Sequence, residues 1–279
     1  VSDAARELPG ASIDWVVEEP FAPVAAMHPA VRRVIPVAVR RWRGAWWQAK
    51  VRGEIGAFRR TLAEERYDAV IDAQSLIKSA LIARGAHGVR HGMDRRSARE
   101  PLAALFYDVK HAVSRGAHAV ERNRSLTAQA LDIEPGEAID YGLQAGAGEP
   151  PERAPLLFLT MTSRADKLWP EERWIELGRA LAAPIVLPWG SPVERQRVQR
   201  IAAALPGSSV PQRMTLEQLA RLFAGAHGVV GLDTGLTHLA AALGARTVGI
   251  YCGSDPKLTG IYGASRATNI GNLGRMPEV

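Results

Sequence analysis

The sequence predicts a two-domain α/β protein. Short apolar runs alternate with helix-period segments, most regularly in the second half. Glycine and proline collect near the middle of the chain, where that periodicity fails. The 279 residues, 47% hydrophobic and 23% charged, suffice for two cores of ordinary size. The expected domains are residues 1–150 and 151–279, each with Rossmann-like alternation.

In the first half, Trp15-Val16-Val17 and Val34-Ile35-Pro36-Val37 are apolar runs suited to buried parallel strands. Ala69-Val70-Ile71-Asp72-Ala73 is a third, and it leads into a helical pattern from Leu76-Ile77 to Leu81-Ile82. Periodicity then breaks at Pro135-Gly136 and again over Gly146-Ala147-Gly148-Glu149-Pro150-Pro151, the expected linker.

Beyond the linker, Leu156 to Thr160 reads as a strand, and a helix starts near Pro170, where proline suits the first turn. Ile185-Val186-Leu187 is the next strand, followed by a helix from Val193 to Leu205. Thr215 and Gln218 have capping-box spacing and open a helix to about Ala224. Gly228 to Leu232 is a strand. A helix from about Leu236 to Leu243 then ends at Gly244, a left-handed terminator. Thr247 to Tyr251 closes the series. No internal repeat is present.

Composition narrows the function. No apolar stretch approaches the roughly 20 residues of a membrane-spanning helix, and no basic-then-apolar leader is visible. The single cysteine, Cys252, excludes an intramolecular disulfide and a multi-cysteine zinc site, and fits a reducing cytoplasm. A net charge of +6 and a pI of about 9.8 favour anionic partners. Arg32, Arg33, Arg40, Arg41, Arg43, Lys50, Arg52, Arg59 and Arg60 crowd residues 31–60, opposed within that window only by Glu54. A solvated helix face is the plain alternative. No nucleic-acid-binding motif accompanies the charge, so a nucleic-acid partner is not expected.

In doubly wound sheets ligands gather at the carboxyl ends of the strands, which singles out three loops. Thr160 to Pro170 carries Thr162, Ser163, Arg164 and Lys167: hydroxyls and a point charge suited to phosphate oxygens, or simply a helix cap. It lacks the Gly-Lys-Ser/Thr core of a Walker loop. Leu187 to Glu194 offers Gly190 for close approach and Glu194 for ribose or sugar hydroxyls. That carboxylate could equally be a favourable charge at a helix start. Asp233-Thr234-Gly235, with His238 on the following helix, has the hydroxyl, glycine and helix-start amides of an anion site. A single Asp-Thr-Gly in an α/β chain does not support an aspartic protease.

Together these loops resemble glycosyltransferase family 9, and within it the lipopolysaccharide heptosyltransferase I group. The resemblance runs through Trp15-Val16-Val17-Glu18-Glu19, Val34 to Val37, Arg40-Arg41-Trp42-Arg43 and Tyr67 to Gln74. It continues through His87-Gly88-Val89, Ala98-Arg99-Glu100-Pro101-Leu102, His118 to Arg122 and Leu187-Pro188-Trp189-Gly190. It implies a GT-B fold, two Rossmann-like domains facing a central cleft. It also implies inverting transfer of L-glycero-D-manno-heptose from ADP-heptose to the first 3-deoxy-octulosonate (Kdo) of Kdo-lipid A. By the same resemblance Thr162, Ser163 and Lys167 meet the donor phosphates, and Glu194 the nucleoside or sugar hydroxyls. Met214 flanks the adenine, and Asp233, Thr234, Gly235 and His238 complete the donor site. With no Asp-x-Asp motif, no metal or other cofactor is expected, and Lys167 with helix amides stabilises the departing diphosphate. Arg40, Arg41, Arg43 and Arg99 are expected to bind the anionic acceptor. Trp42, Trp46 and Trp47 beside them suit peripheral contact with the cytoplasmic face of the inner membrane.

The resemblance also implies what precedes and follows this chain. Relatives open with a strand and a loop carrying the general-base aspartate, whereas this sequence opens at Val1-Ser2-Asp3, read as the end of the first helix. It stops at Val279 before the family's final helix. The chain is therefore expected to be trimmed at both ends, with the first domain weakened by the missing strand. The alternatives are a donor-binding fragment of impaired activity and another nucleotide-sugar transferase such as heptosyltransferase II.

Overall fold

The computed structural model describes residues 1–146 and 154–279. They form two compact units, Val1–Asp140 and Tyr141–Val279. Apart from Gly146, the Gly146–Pro151 run lies outside the described residues.

In the first unit β1 (Ile13–Glu18) pairs in parallel with β2 (Val31–Val37). A second parallel sheet has the order β3 (Arg66–Asp72), β4 (His87–Met93), β5 (Val109–His111). The apolar runs Trp15–Val17, Val34–Val37 and Ala69–Ala73 thus fall on β1, β2 and β3, and the helix after β3 spans Ile77–Ala83. Among the described residues no strand hydrogen-bonds β1 to β3. Side chains bridge them instead: Tyr67 Oη on β3 donates to Asp14 Oδ2 on β1 at 2.7 Å, and Arg33 on β2 donates to Tyr67 Oη at 3.0 Å. Arg32 adds a two-pronged bond to the same carboxylate, each prong 2.9 Å. The opening segment is a helix, Ser2–Glu7, anchored by Asp3 to Arg124 on helix Ala119–Leu131 at 2.7 Å.

The second unit is one five-stranded parallel sheet. Its strands are β6 (Leu156–Leu159), β7 (Ile185–Val186), β8 (Gly228–Leu232), β9 (Thr247–Tyr251) and β10 (Ala267–Gly271), in the order β10-β9-β8-β6-β7. The helices between them run Glu171–Leu181, Pro192–Ala203, Leu216–Ala224 and Gly235–Ala242. Ser191 and Thr215 close capping boxes with Glu194 and Gln218, and Gly244 ends its helix at φ +80°. The core packs Phe158 against Trp174 and Trp169 edge-on to Trp174, ring centroids 4.9 and 5.1 Å apart. Leu187, Ile201, Leu232 and Ile250 fill the space around them. Burying such aromatics removes roughly 150–250 Å² each from water, the main force holding this sheet to its helices.

All five strands run the same way, so the loops after β6, β7, β8 and β9 emerge along one edge. This alignment places the candidate site.

Candidate functional site

Asp233 follows β8 directly and stands at the centre of that edge. Lys167 Nζ donates to its Oδ2 at 2.6 Å and Ser254 Oγ donates to the same oxygen at 2.5 Å. His238 Nε2, on the first turns of helix Gly235–Ala242, lies 3.5 Å from Oδ1. Thr162 Oγ1 donates to the Asp233 carbonyl at 3.2 Å, tying the β6 loop to the β8 loop. Burial alone would raise the Asp233 pKa, but the bonds from His238, Lys167 and Ser254 hold it well below the usual carboxylate range. The carboxylate is therefore ionised, and it fixes the Lys167 ammonium in a half-buried position while leaving two of its three N–H donors for another acceptor.

The local sequence explains the convergence. Lys167 ends a short 3₁₀ turn, Ala165–Lys167, after which Trp169 plunges into the core and donates Nε1 to the Pro277 carbonyl at 2.9 Å. Gly253, after β9, carries its neighbour Ser254 past that turn: a Cβ there would sit 2.6 Å from the Asp166 carbonyl oxygen. Gly231 does the same for the next layer, because a Cβ would meet Thr237 Oγ1 at 2.2 Å. Thr237 in turn donates to Leu232 O at 2.6 Å, locking helix Gly235–Ala242 onto the end of β8.

Ser254 was not anticipated from the sequence. Cys252-Gly253-Ser254 is a fourth strand-end loop, with a glycine followed by a hydroxyl as at Gly190-Ser191. Thr162, Lys167, Asp233 and His238 are brought together. Thr234 is the N-cap residue of the helix, with its carbonyl accepting from Thr237 and His238 amides at 3.0 and 3.3 Å. Gly235 opens the helix, and a Cβ there would meet nothing. Ser163 is exposed at the rim.

The β7 loop is built differently. Glu194 Oε2 accepts from the Gly190 and Ser191 amides at 2.6 and 3.2 Å, and Ser191 Oγ accepts from the Glu194 amide at 3.3 Å. One carboxylate oxygen thus serves the capping box. Beside it the Arg195 guanidinium lies 5.2 Å over the Trp189 ring, whose Nε1 donates to Pro211 O at 2.8 Å. Met214 is half-buried in the turn before helix Leu216–Ala224.

In the first unit Arg40 and Arg43 are exposed on the short helix Val39–Arg43 after β2. Arg41 is engaged: it donates to both Glu19 oxygens at 3.1 Å and to Glu54 at 2.6 Å. Trp42 is half-buried against Phe58 and donates to Glu54 at 2.9 Å, while Trp46 and Trp47 stand 63% and 58% exposed. Arg99 is exposed on the loop after β4. Among the described residues no three His, Cys, Asp or Glu side chains gather as a metal ion would need, and no helix is long and apolar enough to cross a membrane.

Known proteins match this arrangement closely. The family model for glycosyltransferase family 9 (heptosyltransferase) matches residues 55–279. Lipopolysaccharide heptosyltransferase 1 of Escherichia coli K12 is 48% identical over 279 residues, covering 95% of this chain and 86% of that protein. Its counterpart in Pseudomonas aeruginosa is also 48% identical, over 95% of this chain and 77% of its own length. The solved structure of E. coli heptosyltransferase WaaC with ADP superposes with a TM-score of 0.92 at 46% identity, covering 99% of this chain and 88% of that one. E. coli ADP-heptose lps heptosyltransferase II gives a TM-score of 0.73 at 25% identity, over 96% of this chain and 83% of that one. The two parallel α/β units are of the GT-B class, and the chain belongs to glycosyltransferase family 9, the heptosyltransferases.

Proposed function

We propose that the chain transfers L-glycero-D-manno-heptose from ADP-heptose to the first Kdo of Kdo-lipid A, with inversion, in lipopolysaccharide core assembly. The observation that carries this reading is the Lys167 ammonium held 2.6 Å from Asp233 at the carboxyl edge of the second unit. A preorganised cation at that edge stabilises negative charge growing on a leaving diphosphate, and needs no rearrangement during the reaction. Thr162, Ser163, Thr234 and the amides opening helix Gly235–Ala242 supply neutral donors around it. His238 and Asp233 close the site. Trp189, Arg195 and Met214 offer flat and polarisable surface for a nucleobase, and the second oxygen of Glu194 suits a ribose or sugar hydroxyl. ADP-heptose is a substrate, and no further cofactor enters the scheme.

The relatives support the choice of donor and acceptor. Two of them carry the name lipopolysaccharide heptosyltransferase 1 at 48% identity, and solved WaaC structures hold ADP and ADP-2-deoxy-2-fluoro heptose. Identity to the type II enzyme is only 25%, which favours the type I acceptor. Arg40, Arg43 and Arg99 then meet the acceptor's carboxylate and phosphates, with Arg41 bracing the helix that carries the first two. Exposed Trp46 and Trp47 beside these arginines fit peripheral contact with an anionic bilayer on the cytoplasmic face. The test is transfer of heptose from ADP-heptose to Kdo-lipid A by this chain. Product with inverted anomeric configuration is expected, and product from Kdo-lipid A already bearing the first heptose, but not from Kdo-lipid A itself, would overturn the assignment in favour of a type II acceptor.

A further inference from the structure

Two neighbouring segments of the first unit turn the usual pattern of burial inside out. Helix Ile77–Ala83, after β3, buries Ala80 and Ala83, and the 3₁₀ segment Pro101–Phe106, before β5, buries Ala103 and Ala104. Ala80, Ala103, Ala104 and Tyr107 form one buried cluster, so the two segments lie side by side. Their large apolar residues face the other way: Leu105 is 65% exposed, Leu102 53% and Leu81 51%. Leu102 and Leu105 are three residues apart, which on a 3₁₀ segment stacks them in one row. Lys78, Leu81 and Arg84 make the neighbouring row on the helix, again at a spacing of three. A solvated face would keep leucine inside and place alanine or charge outside. Here alanine is within and leucine without, and the unit forgoes the burial of three large side chains.

The edge of this patch is basic. Lys78 and Arg84 are exposed, and among the described residues neither pairs with a carboxylate. The Arg84 guanidinium lies 5.8 Å over the Phe106 ring, which ties one row to the other and holds the charge at the patch. Arg84, Leu105 and Phe106 border one shallow depression. The acids close by are engaged. Asp108 takes both prongs of Arg90 at 2.8 and 2.6 Å, and Glu100 accepts from the Ile77 amide at 2.7 Å. No tyrosine or tryptophan stands among the two rows, whereas protein–protein interfaces are enriched in both. Leucines edged by lysine and arginine suit a lipid headgroup layer instead. There the apolar side chains enter the acyl boundary while the long cationic ones reach anionic headgroups.

We infer that Leu81, Leu102 and Leu105, with Lys78 and Arg84, form a docking surface that seats the first unit on an anionic bilayer. This surface is separate in sequence from the contact proposed for Trp46 and Trp47, and it rests on the same reading, that the acceptor is a lipid held in a membrane.

The experiment is co-sedimentation of the whole chain with phosphatidylglycerol-containing vesicles and with phosphatidylcholine vesicles. The native chain should bind the anionic vesicles, and less so as salt is added. Leu102→Ser with Leu105→Ser should weaken that binding about tenfold or more. Lys78→Gln with Arg84→Gln should weaken it about tenfold and flatten its salt dependence. In transfer assays the leucine variant should raise KM for Kdo-lipid A embedded in vesicles and leave KM for a de-acylated, water-soluble acceptor unchanged; a merely structural role would move both. Vesicle binding reads no turnover, so absence of transfer would count against the proposed function and leave the docking surface standing. No binding of anionic vesicles by the native chain, or equal binding by the native chain and the leucine variant, would overturn the inference. A leucine variant that loses self-association but not vesicle binding would assign the face to a second copy of the chain and contradict it. Leu81→Ser, on the other segment, is expected to weaken vesicle binding about fivefold and keeps the test decisive if the double variant fails to fold.

Discussion

Lys167 Nζ and Ser254 Oγ share one oxygen of Asp233, at 2.6 and 2.5 Å. Three strand-end loops, after β6, β8 and β9, are thereby joined at a single carboxylate. The arrangement makes Asp233 an organiser: it holds the lysine in place, with donors of the ammonium left over for an arriving anion. An anion would otherwise have to recruit a flexible four-carbon side chain from solvent.

Lys167→Ala should therefore lower kcat by about 10²-fold or more, the usual cost of one preorganised donor at a developing charge. Donor affinity should weaken as well. Steady-state kinetics with varied ADP-heptose would check both, and an unchanged kcat would remove Lys167 from the diphosphate.

Ser254→Ala removes a bond to an ionised group, worth about 1.5–3 kcal/mol when intact. The expected result is roughly a tenfold loss in kcat/KM for the donor, given the smaller net effect of a partly exposed pair. Acceptor KM should not move. Ser254→Thr keeps the hydroxyl and should recover most of the activity, an outcome that a purely steric role would not give.

The first unit has its own charged knot, at Asp14. Burial raises its pKa, but bonds from Arg32, Tyr67 and Arg33 win and bring it down to about 2. An unfolded aspartate titrates near 3.9, so the folded value is depressed. Its contribution is complete above about pH 4 and disappears as the pH falls towards 2, an effect of about 2 kcal/mol. Urea unfolding from pH 7 to pH 2 should show this slope, and Asp14→Asn should flatten it while lowering stability at pH 7. A variant with an unaltered slope would exclude Asp14 as the source.

Arg41 and its neighbours should separate cleanly. Arg40→Ala with Arg43→Ala is expected to raise acceptor KM about tenfold or more and leave thermal stability almost unchanged, because among the described residues neither side chain pairs with a carboxylate. Arg41→Ala releases Glu19 and Glu54 and should lower the melting temperature slightly, since exposed ion pairs contribute little. Melting temperatures and acceptor kinetics on the same three proteins would decide it.

Much of this was legible in the sequence, for reasons that particular residues make plain. Leu156–Leu159, Gly228–Leu232 and Thr247–Tyr251 are apolar runs because their strands are covered on both faces, while Thr215 marks a helix start by its capping hydroxyl and Gly244 a helix end by its left-handed backbone. By contrast β4 reads His-Gly-Val-Arg-His-Gly-Met and carries no strand signal. Its glycines leave room for the Tyr67 carbonyl and the Tyr107 ring, a Cβ on Gly88 and Gly92 falling 2.4 and 2.2 Å from them. The helix Ala49–Ala63 contains two glycines and four cations, so its charge hides its period. The basic stretch from 31 to 60 reads as nearly unopposed. In the fold Asp14, Glu19 and Glu64, all outside that window, neutralise Arg32, Arg33 and Arg41. Sequence distance conceals partners that parallel strands bring side by side. Ser254 has a strand-end glycine before it in the sequence, but its partner is set by the fold, which places it beside a loop 87 residues earlier, at Lys167.

The most direct test of the donor site is calorimetric titration of ADP-heptose into this chain and into Lys167→Ala. Saturable one-to-one binding that the variant weakens at least tenfold is expected. Equal affinity in the two proteins, or no binding by a native chain whose fold is verified by circular dichroism, would contradict it.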